Sequence, residues 1–147
     1  MHTPEIAHDT DLPRLLAVWE DAVRATHDFL DESDIQVLKP LLRDHYLRPL
    51  ELHVVRDAQG TASGFCGCRE DRVEMLFVAP EAHGQGIGST LLRHAVVRGA
   101  RAVDVNEQNP RALGFYLGQG FEVVGRSPRD GGGRPFPILH LRLREGG

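Results

Sequence analysis

The sequence predicts a mixed α+β domain that spans residues 1–147 as a single unit. Three observations predict it. Apolar residues recur at helical spacing through the first third of the chain. Three strand-like segments then follow one another between Leu52 and Val78. Helical and strand patterns alternate from there onward. A chain of this length fits one ordinary domain and buries about 68–70% of its unfolded surface. Hydrophobic residues make up 41% and charged residues 26%, which excludes a disordered tail and a disulfide miniature.

The elements follow in order. Glu5 to His8 is expected as a short strand. A helix begins near Asp9 to Asp11, with Leu12, Leu15, Leu16, Trp19, Val23, Thr26 and Leu30 as one apolar stripe. Pro13 is tolerated in its first turn. Ser33 and Gln36 resemble a capping box for a second helix. Pro40 should kink or split that helix before Leu41 to Leu47. Leu52 to Arg56 reads as a strand, Asp57 to Gly60 as a turn, and Ala62 to Arg69 as a second strand weakened by Gly64 and Gly67. In a third strand, Val73, Met75 and Phe77 alternate with Glu74, Leu76 and Val78, and Pro80 ends it. These adjacent strands predict an antiparallel meander.

A glycine loop follows, and then a helix through Leu91, Leu92, Ala95 and Val96 that stops near Gly99. Val103 and Val105 mark another strand. Asn109 before Pro110 fits an N-cap and a first-turn proline, and that helix runs to Gly120. Phe121 to Gly125 and Phe136 to Arg144 are the last strands, with Leu139, Leu141 and Leu143 on one face. Gly131 to Gly133 reads as the loop between them.

Charge and composition narrow the function. The net charge is −4, yet residues 1–57 hold 12 acids and 6 bases, while the remainder holds 9 acids and 11 bases. No apolar run approaches the ~18–20 residues of a membrane span. The start, Met1 to Glu5, lacks the basic and apolar regions of a signal peptide. Cys66 and Cys68 share one strand face, a poor geometry for pairing with each other, and are expected as buried free thiols in a reducing cytoplasm. Four ligands at zinc spacing are absent, so no metal is expected; His45, His53 and His140 add no metal spacing. With no basic helix and no aromatic–basic cluster, nucleic-acid binding is not expected either.

The segment His83-Gly84-Gln85-Gly86-Ile87-Gly88-Ser89 lies between a strand and a helix. A helix start offers unpaired N–H groups and a partial positive charge, and glycines let an anion approach the backbone. Together these make a phosphate cradle. The loop has no lysine for a Walker pattern, and Ser89 stands where a Rossmann fingerprint needs its third glycine.

Pro80-x-x-His83-Gly84-Gln85-Gly86-Ile87-Gly88-x-x-Leu91-Leu92 resembles the acyl-CoA pyrophosphate loop of the GNAT superfamily of N-acetyltransferases. That family's pattern is Arg/Gln-x-x-Gly-x-Gly/Ala. At the family's usual distance, Asn109-x-x-Ala112-x-x-Phe115-Tyr116-x-x-x-Gly120-Phe121 resembles its second motif. Ala25 to Leu30, Asn106 to Asn109 and Gly125 to Ser127 are similar to the YjaB-type bacterial branch. The resemblance implies a central, mostly antiparallel sheet of seven strands flanked by four helices.

It also implies roles. Acetyl-CoA would be the co-substrate. The backbone of Leu76, Phe77 and Val78 would hold its thioester carbonyl and pantetheine amides. The loop His83 to Ser89 would hold its pyrophosphate. His83 departs from the family's Arg or Gln, which implies a weaker or pH-dependent grip. Asn109 would contact the pantetheine arm, although an N-cap needs no ligand. Tyr116 would be the acid that protonates the departing thiolate, because a phenol with pKa about 10 keeps its proton at neutral pH.

The residues leave the base open. Glu74 points away from the apolar face of Val73 and Met75 and lies two residues before Leu76. It reads as general base or as an ordinary surface acid paired with Arg72. His27 and Asp28 end the first helix, where this fold walls the acceptor site. They read as amine-binding residues or as ordinary surface.

The leading expectation is direct attack of a primary amine on acetyl-CoA in a ternary complex. The alternative is a non-catalytic acyl-CoA-binding sensor. An acidic first part would favour a cationic acceptor. Homodimers are common in the superfamily, and the last two strands are the segments that would contribute.

Overall fold

The three consecutive strand segments form the antiparallel ladder that their spacing predicts. The computed structural model describes residues 3–26 and 30–145. The chain divides into two units, Met1–Ala100 and Arg101–Gly147. In the first, strands β1 (Glu5–Ile6), β2 (Glu51–Arg56), β3 (Ala62–Arg69) and β4 (Arg72–Val78) pair in chain order, each antiparallel to the last. Asp57 shapes the β2–β3 turn, its Oδ1 accepting from the N–H groups of Gln59 and Thr61, each at 2.9 Å.

The third strand departs from simple alternation. Met75 pairs with Gly67, but Val73 pairs with Cys68, so Glu74 is an extra residue with no partner in the ladder. Cross-strand partners share a face. Val73 therefore lies with Leu76 and Val78, opposite Met75 and Phe77. The expected grouping of Val73 with Met75 is wrong, because a one-residue bulge inverts every face beyond it.

Three helices belong to this unit. Helix α1 (Leu12–Thr26) follows a 3₁₀ turn over Asp9–Asp11. Its buried side chains are Leu15, Val18, Trp19, Ala22 and Val23, so the core face includes Val18 and Ala22, while Leu12 and Leu16 sit at its half-buried margin. Helix α2 (Glu32–Leu41) is capped by Asp31 rather than Ser33. Asp31 Oδ1 accepts from Asp34 N–H at 2.9 Å, Asp34 Oδ2 accepts from Asp31 N–H at 3.0 Å, and Ser33 Oγ donates to Asp31 at 2.7 Å. A carboxylate two residues upstream takes the cap that the serine was expected to make. Pro40 does not split the helix. It lies inside α2, and the next five residues, Leu42–Tyr46, wind as a π-helix closed by Leu47 N–H on Leu42 C=O at 3.0 Å.

Helix α3 (Ile87–Val97) covers the face of β3 that carries Gly64 and Cys66. A Cβ at position 64 would stand 3.0 Å from both Ile87 Cγ2 and the Phe77 carbonyl oxygen. The missing side chain lets the start of α3 rest directly on the sheet. At the other end, Arg56 ties β2 to the N-terminal segment, reaching Glu5 at 2.5 Å and both Asp11 carboxylate oxygens at 2.8 Å.

In the second unit β5 (Ala102–Asn106), β7 (Ile138–Leu143) and β6 (Phe121–Ser127) lie side by side in that order, both pairs antiparallel. Helix α4 (Pro110–Gly118) packs on β5 and β6. Val103, Val105, Tyr116, Phe121, Leu139 and Leu141 are buried. Four α-helices and seven strands are thus described, in the expected α+β class and order. No described helix is long and apolar enough to cross a membrane.

Two stability predictions follow from these contacts. Gly64→Ala should cost about 1–3 kcal/mol, because the Phe77 carbonyl is backbone and cannot step aside cheaply. Urea melts check it, and an unchanged midpoint would refute the close-packing account. Hydrogen bonds from Arg56 hold the Asp11 carboxyl down from 3.8 to about 2. A depressed carboxyl pKa stabilises the fold above the unfolded value and ceases to do so as pH falls from about 4 to about 2. Asp11→Asn should therefore lose about 1–2 kcal/mol at pH 7 and show a shallower acid limb below pH 4. Equal stability from pH 7 to pH 2 would contradict this.

Candidate active site

Between β4 and α3 the chain makes a 3₁₀ turn over Pro80–Ala82 and then the glycine loop. Ala79 and Ala82 are buried and anchor the turn. Arg14 of α1 holds it from the side, with Nε donating to Ala62 C=O at 2.9 Å and its terminal nitrogen reaching Glu81 at 3.2 Å. His83, Gly84, Gln85 and Gly86 are all exposed, and Ile87 is buried. Gly88 and Ser89 are half-buried in the first turn of α3.

Gly84 has φ +82° and Gly86 has φ +77°, in the left-handed region. A Cβ at either would touch nothing within 4 Å, so backbone conformation rather than space requires glycine. Gly86 is the N-cap of α3, and its carbonyl accepts the first helical bond from Thr90 N–H at 3.0 Å. The N–H groups of a helix's first turn point along its axis toward the N-terminal end and carry its positive dipole. An exposed backbone turn at a helix start is a geometry that can accept an anion.

The strand leading into the loop supplies backbone groups. Leu76, Phe77 and Val78 pair with Cys66, Phe65 and Gly64 of β3, and their side chains are half-buried. Phe77 packs on Phe65 with ring centroids 5.9 Å apart. Glu74 is exposed, as expected, but the bulge rather than alternation turns it outward. Arg72 Nε lies 3.8 Å from its carboxylate, a loose contact between two partly exposed groups.

In the second unit Asn109 caps α4, its Oδ1 accepting from Ala112 N–H at 3.2 Å. It is 7% exposed, and Pro110 follows in the first turn. Of the Phe115–Tyr116 pair, Tyr116 is the buried member, also at 7%. Its ring stands edge-on to Phe115 at 5.1 Å and to Phe121 at 5.8 Å. His27 and Asp28 lie outside the described residues.

Two clusters were not anticipated. The first lies between α3 and the β2–β3 face, around a cavity of about 60 Å³ lined by His53, Cys66, Cys68 and His94 among others. The imidazoles of His53 and His94 meet edge-on at 4.5 Å, and burial lowers the pKa of both. His94 Nε2 is buried with no protein partner, and the cavity has room for a water molecule there. The thiols are free, with Cys66 Sγ and Cys68 Sγ at 3.8 Å. The neighbouring sulfur and burial push the Cys66 thiol up, which makes it a poor nucleophile. Among the described residues, no group of three or more His, Cys, Asp or Glu could hold a metal ion. The second cluster joins Asp104, His140 and Ser127 on three neighbouring strands. Asp104 and His140 alternate with buried residues along their strands, but only the strand order β5-β7-β6 brings the three together.

Comparison with known proteins agrees with this arrangement. Residues 49–123 match the family described as Acetyltransferase (GNAT) domain. The peptidyl-lysine N-acetyltransferase YjaB of Salmonella typhimurium is 40% identical over 129 residues, covering 87% of this chain and 88% of that protein. YjaB of Escherichia coli is 38% identical over 128 residues, 86% of each chain. The solution structure of YjaB from Escherichia coli matches with a TM-score of 0.89 and 33% identity over 97% of both chains. By both the family match and these near full-length relatives, the chain belongs to the GNAT family of acetyltransferases and is an N-acetyltransferase.

Proposed function

We propose that this enzyme acetylates the side-chain amine of peptidyl lysines, using acetyl-CoA in a ternary complex in the cytoplasm. The observation that carries the donor side is the exposed turn His83–Gly86 at the positive start of α3, built on two left-handed glycines. It suits a pyrophosphate held by backbone N–H groups. The acceptor class rests on the names of the YjaB relatives and on the surplus of acids in residues 1–57. A lysine ammonium is drawn to a negative surface, and an anionic donor to a helix start.

Each step has a proposed group. The backbone of Leu76, Phe77 and Val78 aligns the pantetheine arm and polarises the thioester carbonyl. Asn109 contacts the same arm while capping α4. His83 and Gln85 border the pyrophosphate, with Gly84, Gly86, Ile87, Gly88 and Ser89 supplying the cradle. Glu74, turned outward by the bulge, accepts the ammonium proton so that a neutral amine can attack. Tyr116 returns a proton to the departing thiolate. His27 and Asp28 bind the amine. Direct attack requires no cysteine intermediate, in keeping with the raised pKa of the buried Cys66 thiol. The whole chain works as one domain, as a monomer or as a homodimer through its last strands.

The test is release of free CoA from acetyl-CoA with lysine peptides of differing net charge. Tyr116→Phe should lower kcat about 100-fold while leaving the KM for acetyl-CoA within a few-fold. An unchanged kcat removes Tyr116 as the acid, and no CoA release with any lysine peptide removes the acceptor assignment. Glu74→Gln should lower kcat/KM by about 10²-fold or more and alter its pH profile. If rate and profile both persist, the base lies elsewhere. For basic peptides, kcat/KM should fall as salt is added.

A further inference from the structure

Asp104 of β5, His140 of β7 and Ser127 of β6 form a continuous hydrogen-bonded chain. Asp104 Oδ1 lies 2.7 Å from His140 Nδ1, and Ser127 Oγ lies 2.7 Å from His140 Nε2. A carboxylate can only accept, so Nδ1 carries the proton shared with Asp104. In the neutral imidazole Nε2 then has the lone pair and accepts from the Ser127 hydroxyl. This order, carboxylate to imidazole to hydroxyl, is that of a nucleophilic serine relay.

The register explains why the three meet. Asp104 and His140 are direct partners, and so are Ser127 and Ile138, which places all three side chains on one face. Ser127 reaches that face only because β6 carries a bulge. Before it, Phe121 and Val123 pair with Leu143 and Leu141; after it, Gly125 and Ser127 pair with His140 and Ile138. Val124 is the extra residue. Had Val124 instead paired with His140 in an unbroken register, Ser127 would lie on the face of Leu139 and Leu141, which are buried.

The relay is reachable. The side chains of His140 and Asp104 are 38% and 40% exposed. Gly125 stands opposite His140, and even a Cβ there would come only to 3.5 Å from the ring carbon Cδ2. With no side chain at 125, that flank of the imidazole is left uncovered. The neighbouring Arg126 is turned to Glu107 in a bidentate ion pair at 2.6 and 3.1 Å.

We propose that Ser127, His140 and Asp104 form a second reactive site, at which Ser127 is acylated by small carboxylic esters and then hydrolysed. The Ser127 proton passes to His140 Nε2 as Oγ bonds the acyl carbon. The bond from that carbon to the alcohol oxygen breaks, and the alcohol leaves with the proton from His140. Water then attacks the acyl-serine by the same route, releasing the acid and restoring Ser127. Asp104 does not change protonation. It is a positioning residue that holds the imidazole in the required tautomer.

The experiment uses the full chain with an alkyl fluorophosphonate, which labels activated serines, and p-nitrophenyl acetate as a small ester. Neither contains CoA, so the result stands apart from the acetyl-transfer assignment. Mass spectrometry should find the phosphonyl group on Ser127, and Ser127→Ala should abolish it. His140→Asn and Asp104→Asn should each slow labelling and ester hydrolysis at least about 100-fold, with thermal melts like that of the unaltered chain. An unaltered chain that takes no label at Ser127 overturns the proposal whatever the variants do. So does a labelling rate that survives His140→Asn.

Discussion

The start of α3 can sit on the sheet because β3 has no side chain at Gly64. That single close approach, with Ile87 above and the Phe77 carbonyl beside, sets the height of the helix over β3 and β4. The glycine loop is the connection between β4 and this helix start, so its shape is inherited from the contact. Buried Ala79 and Ala82 on one side and Ile87 on the other hold the ends. His83 to Gly86 then have no option but to turn outward, through two residues in the left-handed region. A rigid frame with an exposed, backbone-rich turn is what an anionic ligand needs, since its donors cost little to organise at binding.

One-residue register shifts shape the rest of the chemistry. The extra residue in β4 is Glu74, and its bulge separates Val73 from Met75 and carries the carboxylate outward. The extra residue in β6 is Val124, and its bulge turns Ser127 toward His140. Both shifts act through the same geometry: side chains alternate with a period of two, so one added residue exchanges the faces of all that follow. Candidate chemistry in each unit is thus tied to a place where a strand breaks its own pattern.

The acidic first part of the chain is less free than its count suggests. Glu5 and Asp11 hold Arg56, Glu20 holds Arg24 and Lys39, and Glu32 holds Arg24. Glu51 meets Arg98, the residue that closes the C-terminal end of α3, beyond the acidic segment. These pairs fasten β1, α1, α2 and β2 to one another at the surface, each contributing little by itself. Pairing does not cancel the surplus, however. Net charge acts at distances where individual pairs blur together.

The order of elements, the class and the glycine turn were legible in the sequence because each depends on local chemistry. Asn109 before Pro110 caps a helix wherever it stands, and apolar spacing marks α1 whatever it packs against. The misreadings had both local and tertiary causes. Ser33 lost the α2 cap to Asp31, whose carboxylate bonds Asp34 N–H directly. The stripe on α1 shifted to include Val18 and Ala22 because the packing partner, not the periodicity, selects the buried edge. By itself, then, the sequence determined the family, the helix starts and the glycine turn. Only tertiary structure decided which side chains meet across strands: His53 with His94, and Asp104 with His140 and Ser127. Those meetings depend on strand order and bulge position, which arise from pairing between residues far apart in the chain.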